Sequence, residues 1–105
     1  MPWILLLFAG AAEVLWAYSM KMSDGFTKVG PSVVTVVVMI ASVVLLALAM
    51  KSLPLGTAYT IWTGIGAVGA FCVGIFFLGE PVTPARIIAA VLIVSGLVLM
   101  KLSTP

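Results

Sequence analysis

The sequence predicts an all-α integral membrane protein with four transmembrane helices, and three observations carry that prediction. Of its 105 residues, 64% are hydrophobic and only 8% charged, against about 45–50% and about 25% in soluble domains. The apolar residues fall into four runs of near-spanning length. The stretches between them are about 6–10 residues long, which leaves no room for a soluble domain. A water-soluble globule this small exposes a large share of its surface and could not hide so much hydrocarbon. Five basic residues scattered along the chain form no nucleic-acid patch. With one cysteine, Cys72, and no histidine, there is neither an internal disulfide nor a Cys/His metal centre, and no cofactor is expected.

Residues 1–105 read as one four-helix unit with helices at about 3–20, 31–50, 58–78 and 85–100. The first run closes at Lys21, Ser23, Asp24 and Gly25. Pro31 opens the second, where its missing N–H costs nothing. The turn from Lys51 to Gly56 precedes the third, and Pro84 opens the fourth, which Lys101 closes. A span needs roughly 20 apolar residues to cross about 30 Å of hydrocarbon. The first and fourth runs are slightly short, so they should stand upright with Trp3, Lys21, Arg86 and Lys101 near the interfaces. The first run lacks a basic leader and carries Glu13, so it reads as a retained span and not as a cleaved signal peptide.

Four thin helices, each roughly 10 Å across, cannot enclose an aqueous path for a solute, so transport requires more than one copy. Lys51 and Lys101 lie on the side of the membrane that holds the amino terminus; Lys21, Lys28 and Arg86 lie on the other. Orientation follows the Lys/Arg imbalance between loops. The imbalance here is close to nil, which predicts insertion both ways round and an antiparallel, dual-topology homodimer. A single orientation fixed by the first helix is the alternative.

Glu13 is the one ionisable residue deep inside a span. Ten residues past Trp3 at about 1.5 Å each, it lies roughly 15 Å in, near the bilayer midplane. An acidic group there costs about 2.5–3.5 kcal/mol on insertion scales. Every Lys and Arg sits at a helix end, so no structural ion pair is available at that depth. The default role is a proton- or cation-binding group; a permanently protonated acid stapling two helices is the other reading. At 100° per residue the Glu13 face also carries Ala9, Gly10, Trp16 and Ala17, while Leu7, Phe8, Val14, Leu15 and Tyr18 face the opposite way. Small residues thus clear space beside the acid, and Trp16 offers an indole N–H one turn on.

The second helix aligns Thr35, Met39, Ser42 and Ala49, and Ser42 can donate its hydroxyl to Glu13 or, as serines in spans usually do, bond back to its own helix. The third aligns Tyr59, Trp62, Thr63, Gly66 and Gly69; aromatic rings three residues apart make a wall that attracts cations, and packed core is the other role such a stripe can serve. Gly64, Gly66, Gly69 and Gly74 weaken that helix. A bend around Gly64-Ile65-Gly66 would open the site to one side at a time, and close helix contact is the other role these glycines can serve. The fourth helix carries no deep charge and reads as a packing helix. Glu80 with Arg86, and Asp24 with Lys28, read as solvated interfacial charges, and Cys72 as a small packing residue.

From end to end the chain resembles the small multidrug resistance family. The residues that carry the resemblance are Glu13, Lys21 with Gly25-Phe26-Thr27, Pro31-Ser32, and Pro54 through Gly66. Within the family, Glu13-Val14-Leu15-Trp16-Ala17 is similar to the guanidinium-exporter subtype, with tryptophan where the quaternary-ammonium branch has glycine. Trp62 through Ala70, followed by Gly79-Glu80-Pro81 and Lys101, points the same way. The resemblance implies a proton-coupled antiporter, in the inner membrane, that exchanges protons for guanidinium through an antiparallel homodimer. It assigns the central acid to Glu13, its hydrogen-bonding companions to Trp16, Ser42 and Trp62, and a site-lining ring to Tyr59. Thr60 departs from the commoner alanine but faces away from the Tyr59/Trp62 stripe.

Two rival readings differ in kind: a quaternary-ammonium exporter of the same fold, and a non-transporting membrane subunit in which Glu13 is a staple. One carboxylate among large rings makes a pocket and not the continuous polar lining of a pore. A catalytic role has no support, since there is no nucleophile–base pair and no phosphate loop.

Overall fold

Each apolar run becomes one helix, and the residues that interrupt the runs decide where each helix stops. In the computed structural model, which describes residues 2–104, these are α1 (Pro2–Met22), α2 (Val29–Ala49), α3 (Leu55–Leu78) and α4 (Pro84–Ser103). All four are long and apolar enough to cross a membrane. Their sides carry bulky exposed side chains, with Phe76 79%, Phe77 74% and Leu102 77% accessible. An apolar exterior on that scale calls for a hydrocarbon surround and not water.

The helices extend one to three residues beyond most of the limits read from hydropathy, because hydropathy marks the apolar stretch and caps mark the helix. Pro31 lies in the first turn of α2, where its missing N–H is tolerated. Pro54 caps the start of α3 with φ −58° and ψ 150°, so the helix begins at Leu55 and not near Ala58. At α4, the Thr83 side chain accepts from the Arg86 N–H at 3.2 Å and Pro84 occupies the first turn. Gly79, at φ 67°, ends α3 in the left-handed conformation that lets the Glu80 N–H return to the Gly74 carbonyl at 3.0 Å.

The turn between α1 and α2 is more constrained than its polar composition implies. Asp24, Gly25 and Phe26 all adopt positive φ, at 51°, 72° and 66°, which is unfavourable for the two residues that carry a Cβ. Ser23 holds the turn: fully buried, it donates to the Met20 carbonyl at 2.6 Å and accepts from the Phe26 N–H at 3.0 Å. Thr27 adds a bond to the Asp24 carbonyl at 2.8 Å.

The helices form a row in the order α2, α1, α3, α4, with a minor contact between α2 and α3 and with the backbone of α4 meeting only that of α3. The extents of 43 × 35 × 16 Å describe a slab little thicker than one helix. A small core of Leu6, Ala9, Leu46, Ala49, Leu53, Ala58 and Ile61 lies toward the end that holds the start of α1. No residue of α4 is buried.

Between α1 and α3 a ladder of small-against-large contacts replaces a broad core. Ile65 fills the space beside Gly10, the Glu13 side chain lies against Gly66, and Val14 against Gly69. Without a hydrophobic drive between helices in lipid, close backbone approach at small residues is what holds them together. A methyl group at Gly10 would fall 2.7 Å from Cβ of Ile65, a stiff β-branched neighbour. Gly10→Ala is therefore expected to destabilise the protein by about 1–3 kcal/mol. Gly64→Ala meets Leu97 mainly at its branched tip, which can rotate away, and is expected to cost less. Denaturant titrations of both variants in micelles check the order.

Candidate functional site

The site begins with Glu13, at the centre of α1. Its carboxylate rests against the backbone of α3 at Gly66, and Oε1 occupies the place that any Cβ there would take. Glycine at this position is what admits the acid between the two helices. Among the described residues, Glu13 Oε1 and Trp16 Nε1 are buried without a hydrogen-bond partner. The one ion pair among those residues joins Arg86 to Glu80, far along the chain from Glu13. A carboxylate with two acceptor oxygens thus lies between helices with nothing of opposite charge beside it.

Polar groups on the two neighbouring helices are bonded to each other. Ser42, fully buried on α2, donates to the Ala9 carbonyl of α1 at 2.7 Å and accepts from Trp62 Nε1 of α3 at 3.0 Å. The hydroxyl has a single proton, and it goes to the backbone of α1 one turn before Glu13, neither to Glu13 nor back to α2, the two outcomes its place in the sequence allowed. Ala9 is fully buried and has no side chain beyond Cβ, so α2 can approach the α1 carbonyl closely. Trp62 is thereby tied through Ser42 to the helix that carries the acid. The rings of Tyr59 and Trp62 stand 5.5 Å apart at 59°, with Tyr59 about half exposed at 53%.

The sequence-predicted residues accordingly fall into two clusters. Ser42, Tyr59 and Trp62 form a continuous set of contacts joined to α1 at Ala9. Glu13 pairs with Gly66, and Trp16 lies one turn further along α1 with its N–H free. Gly64 and Gly66 face different neighbours, Leu97 of α4 and Glu13 of α1, and α3 runs unbroken through both.

Two readings of the sequence need correction. Glu80 and Arg86 are not simply solvated charges: Arg86 Nη2 donates to Glu80 Oε1 at 3.2 Å, with both side chains only about two-fifths exposed. The Arg86 guanidinium also lies 5.2 Å from the Phe71 ring centroid, and the Glu80 carboxylate is packed on Gly74. The signal that could have revealed this is the run Gly74…Gly79-Glu80, since a left-handed Gly79 folds the following residue back onto the helix. Cys72 is exposed on α3 and not packed inside the single chain.

These features define a multi-pass membrane protein with a carboxyl group held uncompensated between its helices. The model of the family described as "Small Multidrug Resistance protein" matches residues 1–93, and the chain belongs to that family. It is 56% identical over 104 residues to a protein of Escherichia coli (strain K12) named guanidinium exporter, covering 99% of both chains. Proteins of the same name from Citrobacter freundii and Salmonella typhimurium are each 53% identical over 104 residues, again with 99% of both chains covered.

Removing the Ser42 hydroxyl would leave the Trp62 N–H without a partner and take from the Ala9 carbonyl its bond to α2, leaving that carbonyl only its bond within α1. Ser42→Ala is expected to destabilise the protein by about 1–3 kcal/mol and to move the Trp62 indole N–H resonance upfield in the NMR spectrum. An unchanged resonance would mean that the indole bond is not made in the membrane.

Proposed function

We propose that two copies of this chain, inverted relative to one another, form a proton-coupled antiporter that exports guanidinium across the cell membrane. The observation that carries the reading is the Glu13 carboxylate, which lies between α1 and α3 with no cationic neighbour among the described residues. A fixed charge without a partner needs a mobile one, either a proton or a cation from outside. The similarity over the full chain to proteins named guanidinium exporter supplies the chemical identity of that cation.

Guanidinium is planar, permanently charged and able to offer two parallel N–H groups to one carboxylate. The Tyr59 and Trp62 rings supply the aromatic faces that such a flat cation prefers. Ser42 holds the Trp62 ring in place through the bond to its indole N–H. The free N–H of Trp16 is available to the acid one turn away. Proton and guanidinium then compete for the same oxygens, and competition at one site is sufficient for exchange. Lowering the pH therefore weakens guanidinium binding, and binding releases protons.

A row one helix thick leaves the site open along one flank, which supports the need for a second copy. The near-equal division of basic residues between the two sides supports its inverted placement. In such a pair, opening to either side is the same structure turned over. We assign the bending of α3 that this requires to Gly64-Ile65-Gly66, where neither glycine brings a side chain that must clear α1 or α4.

The decisive experiment is Glu13→Gln in liposomes. Guanidinium-driven proton movement is expected to fall to background while the dimer still assembles; retained coupling would falsify the central assignment. Trp16→Gly is expected to admit bulkier cations, read as protection by the variant against alkyl-ammonium compounds. Gly66→Ala, which puts a methyl group where the carboxylate now rests, is expected to weaken guanidinium binding by at least about tenfold, or about 1.4 kcal/mol, measured by proton release from purified protein.

A further inference from the structure

One cavity lies away from the carboxylate site and takes no part in the exchange. It is a groove of about 430 Å³ between the start of α1 and the end of α4, two helices whose backbones do not approach each other. Trp3 and Leu7 form one wall, Val98 the other, and Ile61 with Ile65 the floor. Trp3 with Leu7, and Ile61 with Ile65, are pairs four residues apart, so the groove follows the helix axes for at least one turn, about 5.4 Å. In a chain whose helices cross the membrane, that direction is the one along which acyl chains lie.

The lining is hydrocarbon except at the mouth. There the Lys101 Nζ sits 5.0 Å from the Trp3 ring centroid, and Lys101 forms no ion pair among the described residues. Tryptophan and lysine near helix ends mark the headgroup level of a bilayer. Contact with the ring holds the ammonium over the groove, where a free side chain would extend into water. A groove shaped for a hydrocarbon tail, with an unpaired positive charge fixed at headgroup height, is complementary to a lipid carrying net negative charge. A zwitterionic lipid brings its own ammonium to the same place and gains less. The same ammonium repels guanidinium, so this groove is not a route for the exported cation.

We propose that this groove binds one acyl chain of an anionic glycerophospholipid, with the lipid phosphate on Lys101. The full-length protein in detergent is given phosphatidylglycerol or phosphatidylcholine with matched acyl chains, and bound lipid is counted by native mass spectrometry. Phosphatidylglycerol is expected to be retained about fivefold better, the effect of one interfacial lysine. Lys101→Gln should erase that preference, and Val98→Trp, which fills the groove from an exposed position, should lower retention of both lipids. Lys51→Gln, on the same side of the membrane but outside the groove, should leave the preference unchanged. Equal retention by the unaltered protein, a preference that survives Lys101→Gln, or an equal loss in Lys51→Gln would overturn the proposal. So would a Val98→Trp protein that loses its dimer in the same spectra yet keeps its lipid, since a second copy would then be the occupant.

Discussion

An acidic side chain in the middle of a hydrocarbon layer, with no basic group able to reach it, is the constraint on which the rest of this protein depends. The cost of placing it there is about 2.5–3.5 kcal/mol. An ordinary fold would offset that cost with a neighbouring arginine or with several hydrogen bonds to the carboxylate. This chain does neither. The Ser42 proton is committed to the Ala9 carbonyl and the Trp62 N–H to Ser42, so these polar groups satisfy each other. They leave Glu13 Oε1 without a partner. A network that also satisfied Glu13 would make a better staple and a poorer exchange site, because any arriving cation would have to break it.

The packing follows from the same requirement. In lipid, helices associate through close contact and not through exclusion of water, and here the closest contacts surround the acid. Gly10 receives Ile65 on one side of it, while Gly66 and Gly69 receive Glu13 and Val14. The direction of insertion reverses along the interface, with α1 giving way at Gly10 and α3 at Gly66 and Gly69. Such an interlock fixes the register of the two helices. It thereby fixes the height of the carboxylate relative to Trp62, which lies one turn before Gly66 on α3. Moving α3 by one residue would bring Ile65 or Ala67 against the acid and close the space that Gly66 keeps open.

The fold was legible in the sequence because hydrocarbon length is so strict a requirement: four apolar runs admit few arrangements other than four helices. Helix ends were less legible, since Pro54, Thr83 and Gly79 act through backbone geometry that hydropathy does not measure. The members of the candidate site were legible at the level of helix faces. Glu13 was marked by its charge, and Ser42, Tyr59 and Trp62 by their stripes. What a wheel cannot supply is which of several acceptors a hydroxyl chooses, and Ser42 chose a backbone carbonyl. The same limit concealed the pairing of Arg86 with Glu80, which depends on the left-handed Gly79 folding the chain back. The three consecutive positive φ values at Asp24, Gly25 and Phe26 left no trace beyond one glycine, because their stabilising bonds come from Ser23 and Thr27, ordinary turn residues.

The two ends of α4 show how a helix with no fully buried residue is nevertheless held. Near its start, the Arg86 guanidinium lies over Phe71 and bonds Glu80, both contributed by α3 and the turn that follows it. Near its other end, the Lys101 ammonium lies over Trp3 of α1. Between them, Leu97 enters the gap left by Gly64. Two cation–ring contacts, each near the level where water gives way to lipid, thus flank one apolar contact. Each of these ties relies on a long side chain that can keep its partner while its helix shifts. The contacts around Glu13, by contrast, rest on backbone and β-branched atoms with little freedom. The two ends of α4 are therefore held compliantly, while the register of α1 against α3 beside the acid is held by stiff contacts. In the exchange proposed above, that distribution lets α4 yield as α3 bends at Gly64 and Gly66 while the register around Glu13 is kept.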